Sequence, residues 1–267
     1  MKVLVVGNVF KDVYLNLDSR TENFETDTDG TKWLDIKFDA SEHRFFNRVS
    51  SFGGAVVALE VLHNFGVDAE LSGSKINFTK DGIDTGGNST GDIYRYILVS
   101  DGQIAYLTPS YEHKTVFKMP EEFVDCIYID RSANFDNIEA LEDYLEYYPE
   151  TSLVLHSRKN PRTKNEKRLF ELASFVISEN KVAQEFAEKT VRIDGNRVFF
   201  DNESIEINSE REDLMTHSTI CSIIGATILG GIIVDKDRGE CLKMAKANVE
   251  NSSLDSTLGI KALNELI

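Results

Sequence analysis

The sequence predicts an α/β protein in which a wound, mostly parallel sheet is flanked by helices and carries a small β-sheet lid. The chain opens with a β-branched run at residues 3–6 that Gly7 closes, the pattern of a strand buried on both faces of a parallel sheet. The second half of the chain alternates strand-like and helix-like segments, as parallel strands joined by right-handed crossovers require. Polar and apolar residues alternate in segments outside that rhythm, and these half-exposed strands form the predicted lid.

The length of 267 residues fits one large domain with an appendage better than two equal domains. We therefore predict a single α/β domain over residues 1–267, with a lid subdomain built from insertions at about 13–48 and 90–118. Hydrophobic residues make up 41% of the chain and charged residues 28%, and no long polar or repetitive tract interrupts them. We expect most of the chain to be ordered.

The charge and cysteine content indicate where the protein works. Acidic residues outnumber basic ones, 45 to 29, which gives a formal net charge of -16. Such a surface repels nucleic-acid backbones and anionic membranes, although a local cationic pocket for a small phosphate remains compatible with it. No apolar stretch reaches the roughly 18 residues that cross a bilayer. The three cysteines are odd in number and widely spaced, so we predict no disulfide framework, no cysteine metal site and a cytoplasmic location.

The first half of the chain is predicted to hold one long helix between strands. Residues 55–65 place apolar side chains at helical spacing, Gly53 and Gly54 precede them, and Gly66 supplies a stop. Residues 68–73 follow as a short strand. The predicted lid strands, which we expect to pair with one another, are 32–39, 93–99 and 103–107, the last two joined by a hairpin turn at Asp101-Gly102.

The second half is predicted to alternate three strands with three helices, followed by hairpins and two further helices. The strands are 126–129, 153–156 and 175–177. The helices that alternate with them are 136–147, 164–173 and 180–188. Hairpin strands occupy residues 190–207, and two long helices follow at 219–231 and 239–250.

Three features of the chain point to a known family. Residues 3–12 hold an apolar strand, a Gly-Asn turn and an acidic residue, and residues 52–66 hold a Gly-Gly pair, a helix and a Gly stop. A β insertion follows each of these segments, and a Gly/Ala-rich helix lies near the C-terminus. Together they resemble the ribokinase family of carbohydrate kinases, also called the PfkB family. The resemblance implies a ribokinase-like fold, ATP-dependent phosphorylation of a sugar or nucleoside hydroxyl with Mg²⁺, and substrate contacts through Asn8, Asp12, Gly53 and Gly54.

The late helix departs from the family pattern at the turn where it begins. In the family, a Gly-Ala-Gly-Asp turn supplies backbone N–H groups for the transferring phosphate and an Asp that removes the proton of the substrate hydroxyl. Alignment on the downstream glycines of this helix assigns the nucleotide- and anion-binding positions to Ser218, Thr219 and Ile220. Cys221 then stands at the position of the catalytic Asp. Two β-branched residues replace small ones at this turn, so the anion site is also narrowed.

Two further family motifs are altered. The Asn-x-x-Glu motif, which is linked to metal and phosphate, falls on residues 178–181, where Glu179 is the residue of the usual type. The Asn expected in the Gly-Gly helix is Ala58. The resemblance therefore implies Glu179 as a nucleotide-side residue, and we predict no direct metal ligand.

Several of these residues have a structural explanation beside the functional one. Asp12 is either a polyol ligand or the cap of a turn, and the Gly53-Gly54 pair either admits a substrate or makes a strand-to-helix turn. Cys221 is either an activated thiol near a helix N-terminus or a small buried apolar residue. The acidic pair at 212–213 either supplies a displaced base or favours the helix N-terminus. The basic cluster within residues 158–168 either holds a nucleotide phosphate or is an exposed loop and helix start.

Two hypotheses of function follow. The first is a divergent kinase that uses ATP and Mg²⁺ to phosphorylate a sugar or nucleoside. The second is a catalytically inactive pseudokinase that keeps the fold as a small-molecule-binding or assembly protein. Half-apolar lid strands need a partner to cover them, so we also predict a homodimer through the lid, with candidate contacts at Trp33, Ile36 and Phe38.

Overall fold

The computed structural model describes strands and helices over most of the chain. The described residues are 1–16, 24–26, 32–34, 48–72, 76–79, 82–85, 93–100, 103–107, 120–133, 138–158, 160–179, 184–207 and 217–251. In chain order the strands are β1 (Lys2–Val6), β2 (Val9–Asn16), β3 (Phe24–Thr26), β4 (Lys32–Leu34), β5 (Arg48–Gly54), β6 (Asp68–Leu71), β7 (Ile76–Thr79), β8 (Gly82–Thr85), β9 (Ile93–Ser100), β10 (Gln103–Leu107), β11 (Cys126–Ile129), β12 (Ser152–Ser157), β13 (Phe175–Ser178), β14 (Thr190–Asp194), β15 (Arg197–Phe200) and β16 (Glu203–Glu206). The helices are α1 (Ala55–Asn64), α2 (Ile138–Tyr147), α3 (Lys164–Leu172), α4 (His217–Ile233) and α5 (Arg238–Asn251), with a 3-10 helix at Gln184–Lys189.

Within the described residues, eight strands form the central sheet, in the order β16-β15-β14-β13-β12-β11-β1-β6. The strands from β14 to β6 run parallel to their neighbours, and β15 and β16 add an antiparallel edge. Apolar residues fill both faces, because every residue of β11 and the last four of β1 are buried. Such burial suits parallel strands that helices cover on both sides. The predicted α/β class with a mostly parallel sheet is confirmed.

The connections of the sheet reverse direction at β1. From β1 the chain runs to β6 on one side, then returns to β11 on the other side and continues outward to β14. In open α/β sheets, ligands bind outside the carboxyl ends of the strands at such a switch point. The edge of interest is therefore formed by the residues that follow β1 and β11, and we call it the switch-point crevice.

Helices cover both faces of the sheet. One apolar cluster joins α1, α4 and α5 to one face, and a second joins α2 and α3 to the other. Residues 220–231 of α4 are all buried. Gly230 lets α4 approach the end of α1, since a Cβ there would lie 2.6 Å from the Phe65 ring. In the described part of the chain, no helix is both long and apolar enough to cross a membrane.

A second sheet forms the lid, and its described strands are ordered β10-β9-β2-β5. The hairpin of β9 and β10 is the predicted one. The described part of the predicted strand at 32–39 is β4, which pairs with β3. Pairing of this strand with β9 is wrong, because β10 and β2 are the neighbours of β9. Residues 35–39 lie outside the described residues. β2 follows β1 almost directly, and β5 leads directly into α1. These two strands connect the lid to the main sheet, and they pair with each other. Ile36 and Phe38 lie outside the described residues.

The helix predicted at 180–188 takes another form. The structure has a 3-10 helix at Gln184–Lys189, and residues 180–183 lie outside the described part. Phe186 is buried against Phe170, with ring centroids 5.3 Å apart, and the Thr190 hydroxyl donates to the Phe186 carbonyl. β14 begins at Thr190, only four residues after the buried Phe186. A short 3-10 helix is tight enough to make this connection.

Candidate active site at the carboxyl edge of the sheet

The turn after β1 is locked to the loop after β11. Gly7 is needed there because an added Cβ would lie 2.8 Å from both Ala55 Cβ and Ser132 Oγ. The Asn8 N–H donates to Ser132 Oγ at 3.1 Å, and Asn8 Nδ2 donates to the Ser132 carbonyl at 3.0 Å. The Asn8 carbonyl accepts from the Ala55 N–H at the start of α1. Asn8, a predicted substrate ligand, thus joins three elements at the switch-point crevice.

A buried carboxylate lies beside this turn, directly after β11. Asp130 is 1% exposed. Its Oδ1 accepts from the Ser132 N–H at 2.8 Å, and its Oδ2 accepts from Ser222 Oγ at 3.3 Å. Ser222 belongs to α4 and follows Cys221. Asp130 therefore connects the switch-point crevice to the first turns of α4.

A second group of buried polar side chains crosses the ends of β11, β12 and β13. Arg131 makes a bidentate pair with Glu179, in which Nε donates to Oε1 and Nη2 donates to Oε2 at 2.7 Å. His156 Nε2 lies 3.2 Å from Glu179 Oε1, and His156 Nδ1 hydrogen-bonds the Tyr128 hydroxyl at 2.9 Å. The side chains of Arg131, Glu179 and His156 are 9%, 6% and 0% exposed. We call these four side chains the buried network.

Two members of the buried network have strongly shifted pKa values. Burial raises the pKa of Glu179, but the contact with His156 and the hydrogen bonds from Arg131 outweigh burial and bring it down to about 2. Burial, with the charges of Asp130 and Glu179, raises the pKa of Tyr128 well above its usual value. At neutral pH, Glu179 is therefore a carboxylate and Tyr128 a neutral phenol.

The predicted phosphate turn lies inside α4, because the helix already begins at His217. Ser218 is in its first turn, Thr219 is half-buried, Ile220 is 9% exposed and Cys221 is 0% exposed. Burial raises the pKa of the Cys221 thiol, and the charge of Glu179 adds to the effect. These observations favour the interpretation of Cys221 as a small buried residue.

Gly225 brings α4 directly onto the buried network. A Cβ at this position would lie 2.8 Å from His156 Nδ1 and 3.0 Å from the Tyr128 hydroxyl. The helix that carries Cys221 therefore rests on the same side chains that hold Glu179. The two predicted residues are therefore connected, because α4 carries Cys221 and packs on His156, which contacts Glu179.

The remaining predicted ligands lie on the lid strands next to the crevice. Asp12 is within β2, opposite Ser51 of β5. Gly53 and Gly54 end β5, and Gly54 precedes α1 with a φ of 72°, a conformation that favours glycine. The Gly-Gly pair thus makes the strand-to-helix turn. Contact of these residues with a substrate stays a prediction.

Sequence reasoning missed Asp130, Arg131, Ser132 and His156. A signal for them was present, since the first three directly follow a predicted strand and His156 lies at the end of the next one. Carboxyl ends of neighbouring parallel strands share one edge of a sheet, so the predicted strands already implied that these polar residues lie close together. Nothing local pairs Arg131 with Glu179, which lies 48 residues away.

The described residues do not fit the Mg²⁺ ion that the resemblance implies. Mg²⁺ takes carboxylate and water oxygens in a nearly octahedral arrangement. Both oxygens of Glu179 accept from Arg131, and both oxygens of Asp130 accept from serines. Across the part of the chain that the structure describes, no three His, Cys, Asp or Glu side chains are grouped as a metal site.

Comparison with known proteins finds likeness in structure alone. No protein-family model matches the sequence, and no curated protein matches it. The nucleoside kinase of Methanocaldococcus jannaschii, an archaeal member of the ribokinase family, is 14% identical with a TM-score of 0.58, over 99% of this chain and 98% of that one. Arabidopsis thaliana ribokinase, solved with ribose and ATP, is 13% identical with a TM-score of 0.56, over 99% and 97% of the two chains. A candidate ribokinase II from E. coli, solved with ATP and Mg²⁺, is 13% identical with a TM-score of 0.58, also over 99% and 97%.

Likeness at such low identity establishes the fold. The central sheet with its flanking helices and lid is a ribokinase-like fold, which confirms the fold that the resemblance implied. The activities of these proteins belong to them, and the chemistry of this chain has to be argued from its own residues.

Proposed function

We propose that this protein is a pseudokinase of the ribokinase-like fold, which binds a sugar or nucleoside at the switch-point crevice and does not transfer phosphate by the mechanism of the kinases. The observation that carries the proposal is the burial of the Cys221 thiol. The position that the alignment gives to the catalytic Asp holds a wholly buried thiol inside α4. A thiol with a raised pKa is protonated at neutral pH and accepts no proton from a hydroxyl group.

Among the described residues, the carboxylates near Cys221 support the loss of a catalytic base, while the acidic pair predicted at 212–213 lies outside the described residues. Asp130 reaches the first turns of α4, but it is buried and both its oxygens accept hydrogen bonds. Glu179 is held by Arg131 and lies against His156. A general base must come within hydrogen-bond reach of the proton it removes. Neither carboxylate is placed to reach a substrate hydroxyl without breaking its present contacts.

The fold and the crevice support small-molecule binding. Open α/β sheets bind ligands at the switch point, and here that point carries the Asn8 turn. β2 and β5 begin and end beside it, since Val9 pairs with Gly54. We propose Asn8, Asp12, Gly53 and Gly54 as the contacts to a sugar or nucleoside.

ATP-dependent phosphorylation of the same ligand, with Mg²⁺, is the second candidate. The likeness of nearly the whole chain to a nucleoside kinase and to a ribokinase that binds ribose and ATP favours it. Positioning and charge stabilisation carry much of phosphoryl transfer, so loss of one base lowers the rate of such an enzyme without abolishing it.

Calorimetry with a panel of sugars and nucleosides, alone and with ATP and Mg²⁺, tests the proposal. We expect at least one ligand to bind. We expect the rate of ADP release in a coupled assay to equal the background rate measured in buffer without protein. A phosphorylated product formed by the wild-type protein would establish the second candidate instead. Absence of binding by every ligand would contradict both.

The variant Cys221→Asp tests whether a missing base is the sole defect, with Cys221→Ser as the control that keeps the size of the side chain without a carboxylate. We expect no gain of ADP release over Cys221→Ser, because the position faces the core. We also expect a lower free energy of unfolding, because a carboxylate is buried without a partner. Urea denaturation and the coupled assay measure the two effects. A clear gain of activity in Cys221→Asp over Cys221→Ser would show that the missing base is the sole defect, and would contradict the expectation that this buried position cannot serve catalysis.

We also propose that the protein is a cytoplasmic homodimer assembled through the lid. Edge strands and half-apolar sheet faces are commonly covered by a partner, and the described lid sheet ends in β10 and β5. None of Cys126, Cys221 and Cys241 forms a disulfide, which agrees with a reducing compartment.

A further inference from the structure

We propose that Arg131 takes the place of a divalent cation at this edge of the sheet: its guanidinium is a built-in counter-cation that keeps Glu179 from binding Mg²⁺ or a similar ion. The inference goes beyond the proposed function and does not depend on it. It concerns the charge balance at the ends of β11, β12 and β13, whether or not phosphate is transferred there.

The contacts of Glu179 are the first support. A carboxylate that accepts a two-pronged hydrogen bond from a guanidinium presents both oxygens to the same planar cation. Arg131 makes such a pair with Glu179, and His156 Nε2 lies 3.2 Å from one of the same oxygens. A magnesium ion needs at least one carboxylate oxygen and keeps several waters in its shell. A metal ion bound to Glu179 would therefore lie against the positive charge of the guanidinium unless Arg131 moves away.

Burial makes that movement unfavourable. The Glu179 side chain is 6% exposed and the Arg131 side chain 9% exposed, so both charges are largely removed from solvent. Removing one partner of a buried ion pair leaves an uncompensated charge in a medium of low polarity. An incoming ion would have to displace the guanidinium and bring its waters into a site closed to solvent.

The other two members of the buried network, His156 and Tyr128, restrict the movement of the Arg131–Glu179 pair. His156 is 0% exposed and is held by the Tyr128 hydroxyl at 2.9 Å. Above His156, Gly225 of α4 leaves no space, since even a methyl group there would lie 2.8 Å from Nδ1. His156 therefore cannot turn aside to give Glu179 another rotamer. The pair belongs to the packed core and differs in this respect from a mobile surface ion pair.

The location of the Arg131–Glu179 pair explains why a built-in positive charge would be useful there. Asp130 and Glu179 both lie at the carboxyl edge, where an anionic ligand would approach, and the whole chain carries a net charge of -16. Without a cation, two carboxylates at this edge would repel such a ligand. Arg131 neutralises the Glu179 carboxylate permanently, whereas a metal ion would neutralise it only while bound.

A titration of the full chain with Mn²⁺, in which electron paramagnetic resonance measures the free ion, tests the proposal. We expect wild type and Glu179→Gln to give the same curve, which then reports only weak binding to the acidic surface. A Mn²⁺ site in the wild-type protein that Glu179→Gln removes would overturn the proposal.

Arg131→Met is the complementary variant, because it removes the counter-cation and keeps a long side chain. We expect it to gain one Mn²⁺ site that binds at least about tenfold more tightly than wild type, as a carboxylate released from its partner becomes a ligand. The double variant Arg131→Met/Glu179→Gln is the control and should lose that site. A folded Arg131→Met protein without the new site would overturn the proposal, and if this variant does not fold, the comparison of wild type with Glu179→Gln still decides.

Discussion

Glu179 and Glu60 are two buried glutamates with opposite protonation at neutral pH. Glu179 has a guanidinium partner, and its pKa falls to about 2. Glu60 lies in α1 and is 4% exposed, and its Oε2 has no hydrogen-bond partner in the described part of the chain. Burial raises the pKa of Glu60 to about 8. Contacts with His156 and Arg131 therefore keep Glu179 charged, whereas burial raises the pKa of Glu60.

Glu60→Gln is expected to stabilise the protein at alkaline pH. Because the folded-state pKa of Glu60 is raised, its contribution to stability is complete below the ordinary pKa of 4.5 and is lost as the pH rises through about 8. Gln keeps the shape and does not ionise. We expect the free energy of unfolding of the Gln variant to exceed that of wild type by several kcal/mol at about pH 9, because the pKa of Glu60 rises from 4.5 to about 8 and one pKa unit corresponds to about 1.4 kcal/mol.

Urea denaturation at about pH 5 and about pH 9 measures this difference between Glu60→Gln and wild type. The control is Glu70→Gln, because the Glu70 side chain is 60% exposed and its substitution should leave the pH dependence unchanged. If wild type and Glu60→Gln lose stability in parallel as the pH rises, Glu60 is ionised in the folded protein and the prediction is wrong.

At the scale of the element, α4 owes its position to three glycines that face three neighbours. Gly225 meets His156 and Tyr128 of the sheet, Gly230 meets the Phe65 ring after α1, and Gly231 would place a Cβ 2.7 Å from Cys241 Sγ of α5. The glycine pattern on which the alignment to the kinases rests is therefore required for packing. It preserves the helix, and it says little about the chemistry at the start of that helix.

Gly225→Ala is expected to destabilise the protein although alanine is the better helix former. The added methyl group meets two side chains that hydrogen-bond each other and cannot move apart, and overpacking of this kind costs about 1–3 kcal/mol. Gly239→Ala in α5 is the control. Its methyl group meets the carboxylate of Glu203, the exposed end of a flexible side chain, so helix propensity should leave that variant equal to or more stable than wild type.

Urea denaturation compares the two alanine variants with wild type at one pH. A Gly225→Ala protein as stable as wild type would mean that α4 can shift away from His156, and the close contact described here would then not hold the helix in place.

The elements were largely predictable because their signals are local. α1 begins after the Gly-Gly pair and ends before Gly66, whose φ of 72° suits a helix stop. The strands of the central sheet overlap the predicted strand segments, and β1, β12 and β13 extend one residue beyond them at one or both ends. The pairing inside the lid was not predictable in the same way. Period-two alternation occurs in several segments, and nothing in the alternation itself says that β2, rather than the segment at 32–39, lies beside β9.

At the scale of the whole molecule, the candidate site depends on contacts between distant parts of the chain. Asn8 bonds Ser132 across 124 residues, and Asp130 meets Ser222 across 92. Sequence patterns and the family resemblance predicted Asn8, Glu179 and the position of Cys221. They could not predict what fills the space around these residues, because periodicity describes the faces of one element and says nothing about which polar side chains pair between elements.

The net charge of -16 determines how assembly should respond to salt. Two copies of such a chain repel each other, and salt screens the repulsion. We expect sedimentation velocity to detect a dimer of the 30.1 kDa chain, with a larger dimer fraction at high salt. Trp33→Ser, which lies in β4 within the lid insertion predicted at about 13–48, should reduce that fraction. Phe123→Ser, which changes a 40% exposed aromatic residue outside that insertion, should not. A monomer at every salt concentration would contradict the homodimer.

The central place of β1 determines the order in which the chain can complete its fold. β1 is hydrogen-bonded to β6 on one side and to β11 on the other. Residues 126–129 are synthesised long after residues 68–71, so the edge of β1 that receives β11 stays open longer than the edge that receives β6. Parallel pairing over such distances is slow, and open strand edges attract other chains. The β11 side of β1 is therefore the edge at which wrong pairing during synthesis is expected.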